Sequence, residues 1–250
     1  MMPMATDQTP RKVALVTGGA RRVGRAIVTQ LANAGFDVLF TYLDSESDAR
    51  ALENELRQIG ALVVGIRADL TDPATSCAAI CDRVESQLGR VSVLVNNASL
   101  YEPADLASAT LEQSRRMWAI HVESPMLLAQ RLAPLLRAGR GHIVNMLDLL
   151  AERPWPAYLP YSASKAGLWN LTLSLARELA PEVTVNGIAP GVVEWPPELP
   201  QADRQNYLRR VPLRRAGTPE EVARLVQFIC TAAPYLTGQI IRVDGGRSIT

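Results

Sequence analysis

Cysteine and histidine are scarce in this sequence, and that scarcity excludes several kinds of site. The 250 residues include only 3 cysteines and 2 histidines, too few for a disulfide framework. Cys77 and Cys81 stand four apart on a predicted helix, a spacing that suits buried thiols better than a metal site. We therefore predict no metal centre and expect the reducing cytoplasm as the compartment.

An excess of charge and long apolar runs are also missing. The formal net charge is only +1, so we expect no nucleic acid and no membrane surface as partners. No apolar run is long enough to span a bilayer, and the polar segment 1–10 has no signal-peptide core. With 48% apolar and 20% charged residues, the chain is typical of a globular protein with a sizeable core.

Strand-like and helix-like segments alternate along the chain. Strands are predicted at 12–17, 37–42, 62–68, 91–95, 142–146, 183–188 and 239–243. Helices are predicted at 24–34, 45–60, 73–88, 111–136, 161–180 and 220–232. This alternation predicts an α/β fold with βαβ units, a parallel sheet and right-handed crossovers. We expect a flexible lead over 1–10 and a single domain over 11–250, because no linker or break in composition divides the chain.

A glycine-rich turn joins the first predicted strand to the first predicted helix. Residues 17–24 read Thr-Gly-Gly-Ala-Arg-Arg-Val-Gly. Glycine lets the backbone approach a pyrophosphate closely, and a helix N-terminus supplies N–H groups and a partial positive charge. In this context the pattern indicates a dinucleotide site. An ordinary tight turn is the alternative, and the two arginines beside an anion site count against it.

Polar residues follow two further predicted strands. Asp69 and Leu70 come after the third strand, and Asn97, Ala98 and Ser99 come after the fourth. Open α/β sheets bind ligands at the carboxyl ends of their strands, so these residues are candidates for contact with a cofactor. Turn formation, which Asn and Asp do well on their own, is the alternative.

Tyr161 and Lys165 lie four apart on a predicted helix and therefore share one face of it. A free phenol has a pKa near ~10, too high for proton exchange at neutral pH. A nearby ammonium favours the phenolate and is expected to bring the pKa of the tyrosine into a useful range. Two exposed helix residues would show the same spacing, so the interpretation depends on a cofactor site that faces this helix.

Together these motifs resemble those of the short-chain dehydrogenases/reductases over nearly the full chain, with further matches at 185–191 (Val-Asn-Gly-Ile-Ala-Pro-Gly) and 243–246 (Val-Asp-Gly-Gly). The resemblance implies a doubly wound Rossmann fold with about seven parallel strands, and usually tetramers or dimers. We expect a homotetramer built through the helices at 111–136 and 161–180. The resemblance makes Tyr161 the proton donor, and makes Lys165 bind the nicotinamide ribose and lower the pKa of Tyr161.

At two positions the chain departs from the general family pattern and resembles the pteridine reductase branch of the family, which includes bacterial dihydromonapterin reductases. Arg22 stands where most members have a third glycine, and Asp148 stands where most have a serine. In that branch the arginine bridges the cofactor phosphate and the pterin. The serine after Asn-Asn-Ala contacts the pterin, and an aromatic residue two positions on stacks on it. By this resemblance Ser99 and Tyr101 take those two roles here.

His121 is a further departure, because the wider family has an asparagine there that holds a proton-relay water. A histidine can bridge water in the same way, or it can fill space between helices, and both interpretations stay open. The substrate lid is expected at about 192–211, where Trp195, Pro196 and Pro197 give an apolar, stiffened loop.

The cofactor is predicted to be NADPH. Relatives that prefer NAD carry an acid at the end of the second strand, which binds the ribose hydroxyls, and this chain has Tyr42 there. Arg21 and Arg22 add positive charge nearby, and Ser45 offers a hydroxyl to a phosphate. Asp44 counts against the prediction, because it would repel a 2′-phosphate if it pointed inward.

The function expected from these residues is hydride transfer from NADPH to a C=N bond of a dihydropterin. A carbonyl reductase of an acyl, sugar or steroid substrate is one alternative, and a catalytically idle nucleotide sensor is another. The candidate catalytic residues are Tyr161, Lys165, Asp148 and His121. The candidate substrate residues are Arg22, Ser99, Tyr101, Asp148, Tyr161 and Trp195. The candidate cofactor residues are Gly18, Arg21, Arg22, Val23, Gly24, Tyr42, Ser45, Asp69, Leu70, Asn97, Ala98, Ser99, Tyr161, Lys165, Pro190 and Gly191.

Overall fold

The structure is a computed structural model that describes residues 11–195 and 199–250. The predicted lead at 1–10 and two prolines of the predicted lid, Pro196 and Pro197, lie outside these residues. Seven parallel strands form one sheet in the order β3-β2-β1-β4-β5-β6-β7, which confirms the predicted single-domain α/β fold. The strands are β1 (Val13–Val16), β2 (Asp37–Tyr42), β3 (Val63–Arg67), β4 (Val93–Asn96), β5 (His142–Met146), β6 (Thr184–Pro190) and β7 (Ile240–Val243).

Helices cover both faces of the sheet. Side chains of β1 alternate between two apolar clusters, with Ala14 and Val16 in one and Val13 and Leu15 in the other, as the twofold period of a strand requires. In the part of the chain that the structure describes, no helix is long and apolar enough to cross a bilayer. The helices are α1 (Arg22–Asn33), α2 (Glu46–Arg57), α3 (Pro73–Gln87), α4 (Leu111–Trp118), α5 (Ser124–Ala138), α6 (Leu159–Glu178), α7 (Gln201–Leu208) and α8 (Pro219–Ala232).

The predicted helical stretch over 111–136 is confirmed, although it is not a uniform α-helix. Two helices, α4 and α5, are joined by a π-helical turn at Ala119–Glu123. Pro125 explains the widened turn, because its ring would clash with the carbonyl group of His121, four residues earlier, and it has no N–H to bond to that group. His121 therefore lies within the π-helical turn, where it is fully buried.

The prediction of a stiffened loop over 192–211 is also incomplete. Helix α7 occupies Gln201–Leu208, and none of its residues is fully buried. Pro200 stands just before its first residue, and the fixed φ of proline is compatible with the start of a helix although not with its interior. Proline in this segment is therefore compatible with the start of a helix as well as with a loop.

Candidate active site

Two adjoining clefts open where strands β1, β4, β5 and β6 end. The glycine-loop cleft, of about 370 Å³, is lined by the turn after β1 and by the residues that follow β3 and β4. The tyrosine cleft, of about 520 Å³, is lined by the start of α6 and by the segments that follow β5 and β6. Four residues line both clefts: Arg22, Val23, Asn97 and Ser99.

The turn after β1 is built for close approach of a ligand to the backbone. Gly18 has a φ of +64°, and a Cβ at this position would lie 2.9 Å from the Cα of Ala98. A Cβ on Gly24 would collide with the carbonyl oxygen of Gly18. The Asn97 amide donates to the carbonyl oxygens of Thr17 and Gly18, at 2.9 Å each. A tight glycine turn that opens helix α1 fits a pyrophosphate group.

Of the sixteen predicted cofactor residues, eleven line the glycine-loop cleft, Tyr161, Lys165, Pro190 and Gly191 line only the tyrosine cleft, and Ser45 lines neither. Ser45 stands at the N-cap of α2, without a side-chain hydrogen bond there, and does not line either cleft. The chain turns away after β2, so that Leu43 lines the glycine-loop cleft instead and Asp44 does not. Ser45 therefore lies outside the lining of both clefts, and its contact with a cofactor stays a prediction. The predicted residues that line this cleft are Gly18, Arg21, Arg22, Val23, Gly24, Tyr42, Asp69, Leu70, Asn97, Ala98 and Ser99.

The two arginines of the turn are each paired with a carboxylate. Arg21 lies 2.5 Å from Asp48. Arg22 donates from Nε to Glu194 at 2.8 Å, and its backbone has a φ of +53°, a conformation that residues other than glycine adopt rarely. Arg22 thus connects the glycine turn to the segment that follows β6.

The end of β5 and the start of α6 bring three predicted catalytic groups together. The Tyr161 hydroxyl donates to the Asp148 carboxylate at 2.9 Å. The Lys165 ammonium donates to the carbonyl oxygen of Met146 at 2.9 Å and lies 5.8 Å from the centroid of the Tyr161 ring. All three side chains line the tyrosine cleft, together with the predicted residues Arg22, Ser99, Tyr101, Pro190, Gly191 and Trp195.

The prediction that Lys165 brings the pKa of Tyr161 down is wrong for this arrangement. Burial raises the pKa of Tyr161 well above its ordinary value, and the neighbouring Asp148 raises it further. Burial also raises the pKa of Asp148. The ammonium of Lys165 is directed at a backbone carbonyl, and burial lowers its own pKa to about 8. The phenol is therefore held in its protonated form.

His121 bridges two serines inside the protein. Its Nδ1 lies 2.8 Å from Ser164 Oγ, and its Nε2 lies 2.8 Å from Ser99 Oγ. Burial lowers the pKa of His121 well below its ordinary value, and Lys165 lowers it further. Both ring nitrogens contact serine side chains of the protein. His121 is therefore a polar bridge between two serines, an arrangement that neither of the two interpretations of the sequence, water relay or space filling, describes.

Aromatic rings form the walls of the tyrosine cleft. Tyr101 stacks on Tyr158 at a centroid distance of 4.7 Å and meets Tyr161 edge-on at 4.8 Å. Trp195 meets Tyr207 edge-on at 5.5 Å. Four of the 6 tyrosines and two of the 4 tryptophans of the chain line this cleft. Sequence reasoning missed several of its lining residues, for which no local motif gives a signal: Arg153, Tyr158, Tyr207 and Arg247.

A parallel sheet in this strand order, a glycine turn at its carboxyl edge and a buried Tyr–Lys pair define a Rossmann-fold oxidoreductase. The chain belongs to the short-chain dehydrogenase/reductase family. A family model described as Enoyl-(Acyl carrier protein) reductase matches residues 18–248.

Relatives with different substrates match the chain equally well. It is 35% identical to pteridine reductase 1 of Leishmania tarentolae over 99% of both chains. It is 33% identical to the 3-oxoacyl-[acyl-carrier-protein] reductase FabG of Aquifex aeolicus, over 94% of this chain and 96% of that one. Overall sequence identity therefore supports a reductase but does not identify the substrate, which has to be inferred from the residues of the site.

Two similar solved structures carry a nicotinamide cofactor. One is a blue fluorescent protein from a metagenomic library in complex with NADPH, with 34% identity, a TM-score of 0.87, and coverage of 94% of this chain and 97% of that one. The other is FolM alternative dihydrofolate reductase 1 from Brucella canis with NADP, with 33% identity, a TM-score of 0.86, and coverage of 96% and 95%.

The burial of Lys165 predicts a stability that depends on pH. Its pKa is about 8 in the folded chain against an ordinary value of 10.5, so between these pH values the unfolded chain binds one more proton at this group. The contribution of Lys165 to the free energy of unfolding should therefore rise from about pH 8 to about pH 10. Tyr161 and the buried thiols of Cys77, Cys81 and Cys230 act in the opposite direction at alkaline pH, because burial raises their pKa values. Chemical denaturation across this range measures the slope.

Lys165→Met should remove that contribution, because the thioether has no proton to lose, so between pH 8 and about pH 10 the free energy of unfolding of the variant should have a more negative slope against pH than that of the unmodified protein. The matched control is Lys12→Met at an exposed position, which should keep the slope of the unmodified protein. An equal slope in the Lys165→Met variant would contradict the burial of a titrating ammonium.

Proposed function

We propose that this chain is an NADPH-dependent reductase that transfers a hydride to a C=N bond of a dihydropterin. The observation that carries this proposal is the 2.9 Å hydrogen bond from the Tyr161 hydroxyl to the Asp148 carboxylate. This bond places a hydrogen-bond acceptor, the Asp148 carboxylate, beside the proton donor, Tyr161. A carbonyl reductase needs a second hydrogen-bond donor at this position for the substrate oxygen. The proposed compartment is the cytoplasm, which suits three free cysteines.

The chemistry of a carboxylate suits a nitrogen heterocycle better than a ketone. An ionised carboxylate only accepts hydrogen bonds, so Asp148 would repel the oxyanion that develops when a carbonyl group is reduced. A pterin offers N–H donors and ring nitrogens that take up a proton. Burial raises the pKa of Asp148, and a protonated carboxyl group can itself donate to such a nitrogen.

Different residues of the tyrosine cleft take different roles in the proposed reaction. NADPH, when bound, supplies the hydride to the ring carbon. Tyr161 delivers a proton to the adjacent nitrogen, which becomes strongly basic as the hydride reaches the carbon and can therefore take the proton even from a phenol whose pKa is raised. Asp148 orients the phenol through its hydrogen bond. Lys165 keeps further N–H donors beyond the one it gives to Met146, and we assign these to the nicotinamide ribose.

The proposed pterin would lie against aromatic rings. Tyr101 is 47% exposed and presents a ring next to Tyr161. A flat heterocycle stacked on such a ring gains roughly 0.5–1.5 kcal/mol beyond the burial of its area. We assign Arg22 and Ser99 to both ligands, because these residues line both clefts, and Trp195 to the substrate.

NADPH fits the glycine-loop cleft. The tight turn at Gly18 and Gly24 admits a pyrophosphate, and Arg21 contributes a cation at the cleft wall. Strand β2 ends in Tyr42, so no acid stands at the position that selects NAD. Asp44 is exposed and lies outside the cleft lining, which removes the argument against a 2′-phosphate. The proposal also agrees with the cofactors of the two similar solved structures.

Reduction of a carbonyl group is the second candidate. It is favoured by the 3-oxoacyl reductases, whose identity to this chain equals that of the pteridine reductase within a few per cent. A catalytically idle sensor is disfavoured, since such a protein has no use for a buried ammonium next to a phenol. Oxidation of NADPH with 7,8-dihydrobiopterin, compared with a panel of ketones and acetoacetyl thioesters, separates the candidates.

We also propose a homotetramer built through α4, α5 and α6. Large apolar side chains stand exposed on these helices, among them Leu111 (66%), Trp118 (43%), Met126 (45%) and Leu173 (37%). Apolar side chains that cluster on neighbouring helices are typical of a protein–protein interface. This arrangement supports the interface that the family resemblance implies.

Asp148→Ser should lower dihydropterin turnover by roughly 10²-fold, the low end for loss of an acid–base group. Asp148→Asn should not restore the activity, because an amide cannot take up or release the proton. The affinity for NADPH, measured by fluorescence titration, should stay nearly unchanged in both variants. Asp82→Ser on the exposed face of α3 is the control. Full pterin turnover by Asp148→Ser would refute the pteridine assignment and leave only the reductase fold.

The unmodified protein should use NADPH with a kcat/KM at least ~10-fold above that for NADH, equivalent to about 1.4 kcal/mol. Arg21→Ala should narrow this ratio through a higher KM for NADPH, because it removes a cation from the wall of the cleft. Arg57→Ala, on the adjacent helix α2, serves as the control. An equal or higher kcat/KM with NADH would overturn the cofactor assignment.

Light scattering at micromolar concentration should report a particle of four 27.2 kDa chains. Leu173→Glu should shift the population towards smaller species, because a charge would be buried at the proposed interface. Ala51→Glu, at an exposed position of α2, introduces the same charge where no large apolar side chain is removed and should leave the tetramer intact. A monomeric unmodified protein would contradict the proposal.

A further inference from the structure

The hydrogen bonds around His121 assign its tautomer from two sides. On the Nε2 side, the backbone N–H of Leu100 points at the ring nitrogen at 3.3 Å. A backbone N–H only donates, so Nε2 must be the acceptor and carries no proton.

The Nδ1 side of the ring gives the same answer independently. The Ser164 hydroxyl donates its single proton to the carbonyl oxygen of Tyr161 at 2.7 Å. It can therefore only accept from His121 Nδ1, which lies 2.8 Å away. The proton of the neutral imidazole is on Nδ1, and the burial of the side chain, which is 0% exposed, keeps the ring neutral.

This tautomer determines the orientation of the Ser99 hydroxyl. Ser99 Oγ lies 2.8 Å from His121 Nε2, and an unprotonated nitrogen at that distance must receive the hydroxyl proton. Two other acceptors are within reach: the carbonyl oxygen of Leu100, which is more distant at 3.4 Å, and the phenol oxygen of Tyr161, whose pKa a side-chain hydrogen bond from Ser99 lowers. The unprotonated Nε2 has no proton of its own to give, so the 2.8 Å contact takes the proton of Ser99. With its proton committed to His121, the Ser99 oxygen has only lone pairs left for the clefts, and Ser99 lines both of them.

We propose that His121 is a positioning residue that turns Ser99 into an obligate hydrogen-bond acceptor, and that Ser99 thereby selects a ligand with an N–H donor at the junction of the two clefts. The selection of a donor-bearing substrate rests on the proposed function. An amide or amino N–H of a pterin meets this requirement. The carbonyl oxygen of a ketone does not, because two acceptors facing each other lose the hydrogen bonds that both had with water.

The π-helical turn is what makes this arrangement possible. The widened turn at Ala119–Glu123 alters the direction of the side chains it carries. His121 thereby reaches Ser99, which follows β4, and Ser164, on α6, at the same time. The two contacts connect the residues that follow β4 to the helix that carries Tyr161.

The first experiment is ¹⁵N NMR of the imidazole rings, which separates protonated from unprotonated ring nitrogens without any substrate. The chain has only 2 histidines, so His142→Gln identifies the signals of His121. We expect a neutral ring with the proton on Nδ1 across the neutral pH range. A proton on Nε2, or a charged ring, would overturn the inference.

The second experiment is a double-mutant cycle on the KM for 7,8-dihydrobiopterin. Ser99→Ala and His121→Phe should each raise this KM about 10-fold, with a smaller change in kcat, since each removes one oriented hydrogen bond. In the His121→Phe background, Ser99→Ala should add less than about 2-fold, because the two residues act as one unit. Additive effects would overturn the inference, because they would mean that the two residues act on the KM independently.

Two outcomes distinguish this inference from the proposed function. If the unmodified protein prefers ketones, the pterin assignment and the donor-selecting role of Ser99 both fail, whereas the NMR result still decides the tautomer. If His121→Phe does not fold, Ser164→Ala replaces it. That variant removes the acceptor of Nδ1 and should raise the KM in the same direction by a smaller factor, and an unchanged KM would overturn the inference.

Discussion

The site depends on one constraint, which is that all seven strands of the sheet run parallel. Every strand therefore delivers its following residues to the same edge. Four of these segments meet there, and the Asn97 amide ties two of them together through Thr17 and Gly18. Neither cleft would exist with an antiparallel neighbour in the middle of the sheet, because its following segment would leave at the opposite edge.

The sequence was informative where the chemistry is local. The glycine turn at Gly18 and the Tyr161–Lys165 spacing each depend on a few neighbouring residues, and both were predicted from residue type and position. The π-helical turn was predictable in principle, since Pro125 conflicts with the carbonyl group of His121 inside a helix. The helical period of the surrounding residues hid that signal.

The rest of the site depends on contacts between distant segments. The direction of the pKa shift of Tyr161 follows from its burial and from Asp148, and neither can be read from the four-residue spacing to Lys165. The pairing of Arg22 with Glu194 joins positions 172 residues apart. Ser45 was expected at the cofactor because its hydroxyl could donate to a phosphate, whereas the side chain that lines the glycine-loop cleft just after β2 is that of Leu43.

The uneven distribution of aromatic residues also has an optical consequence. Trp155 and Trp195 stand in the wall of the tyrosine cleft, whereas Trp169 packs against an apolar cluster and does not line that cleft. Indole emission is sensitive to the polarity around the ring, and a reduced nicotinamide absorbs in the range where indoles emit. The cleft thus contains its own fluorescent reporters, so occupancy of the site is readable in the unlabelled protein.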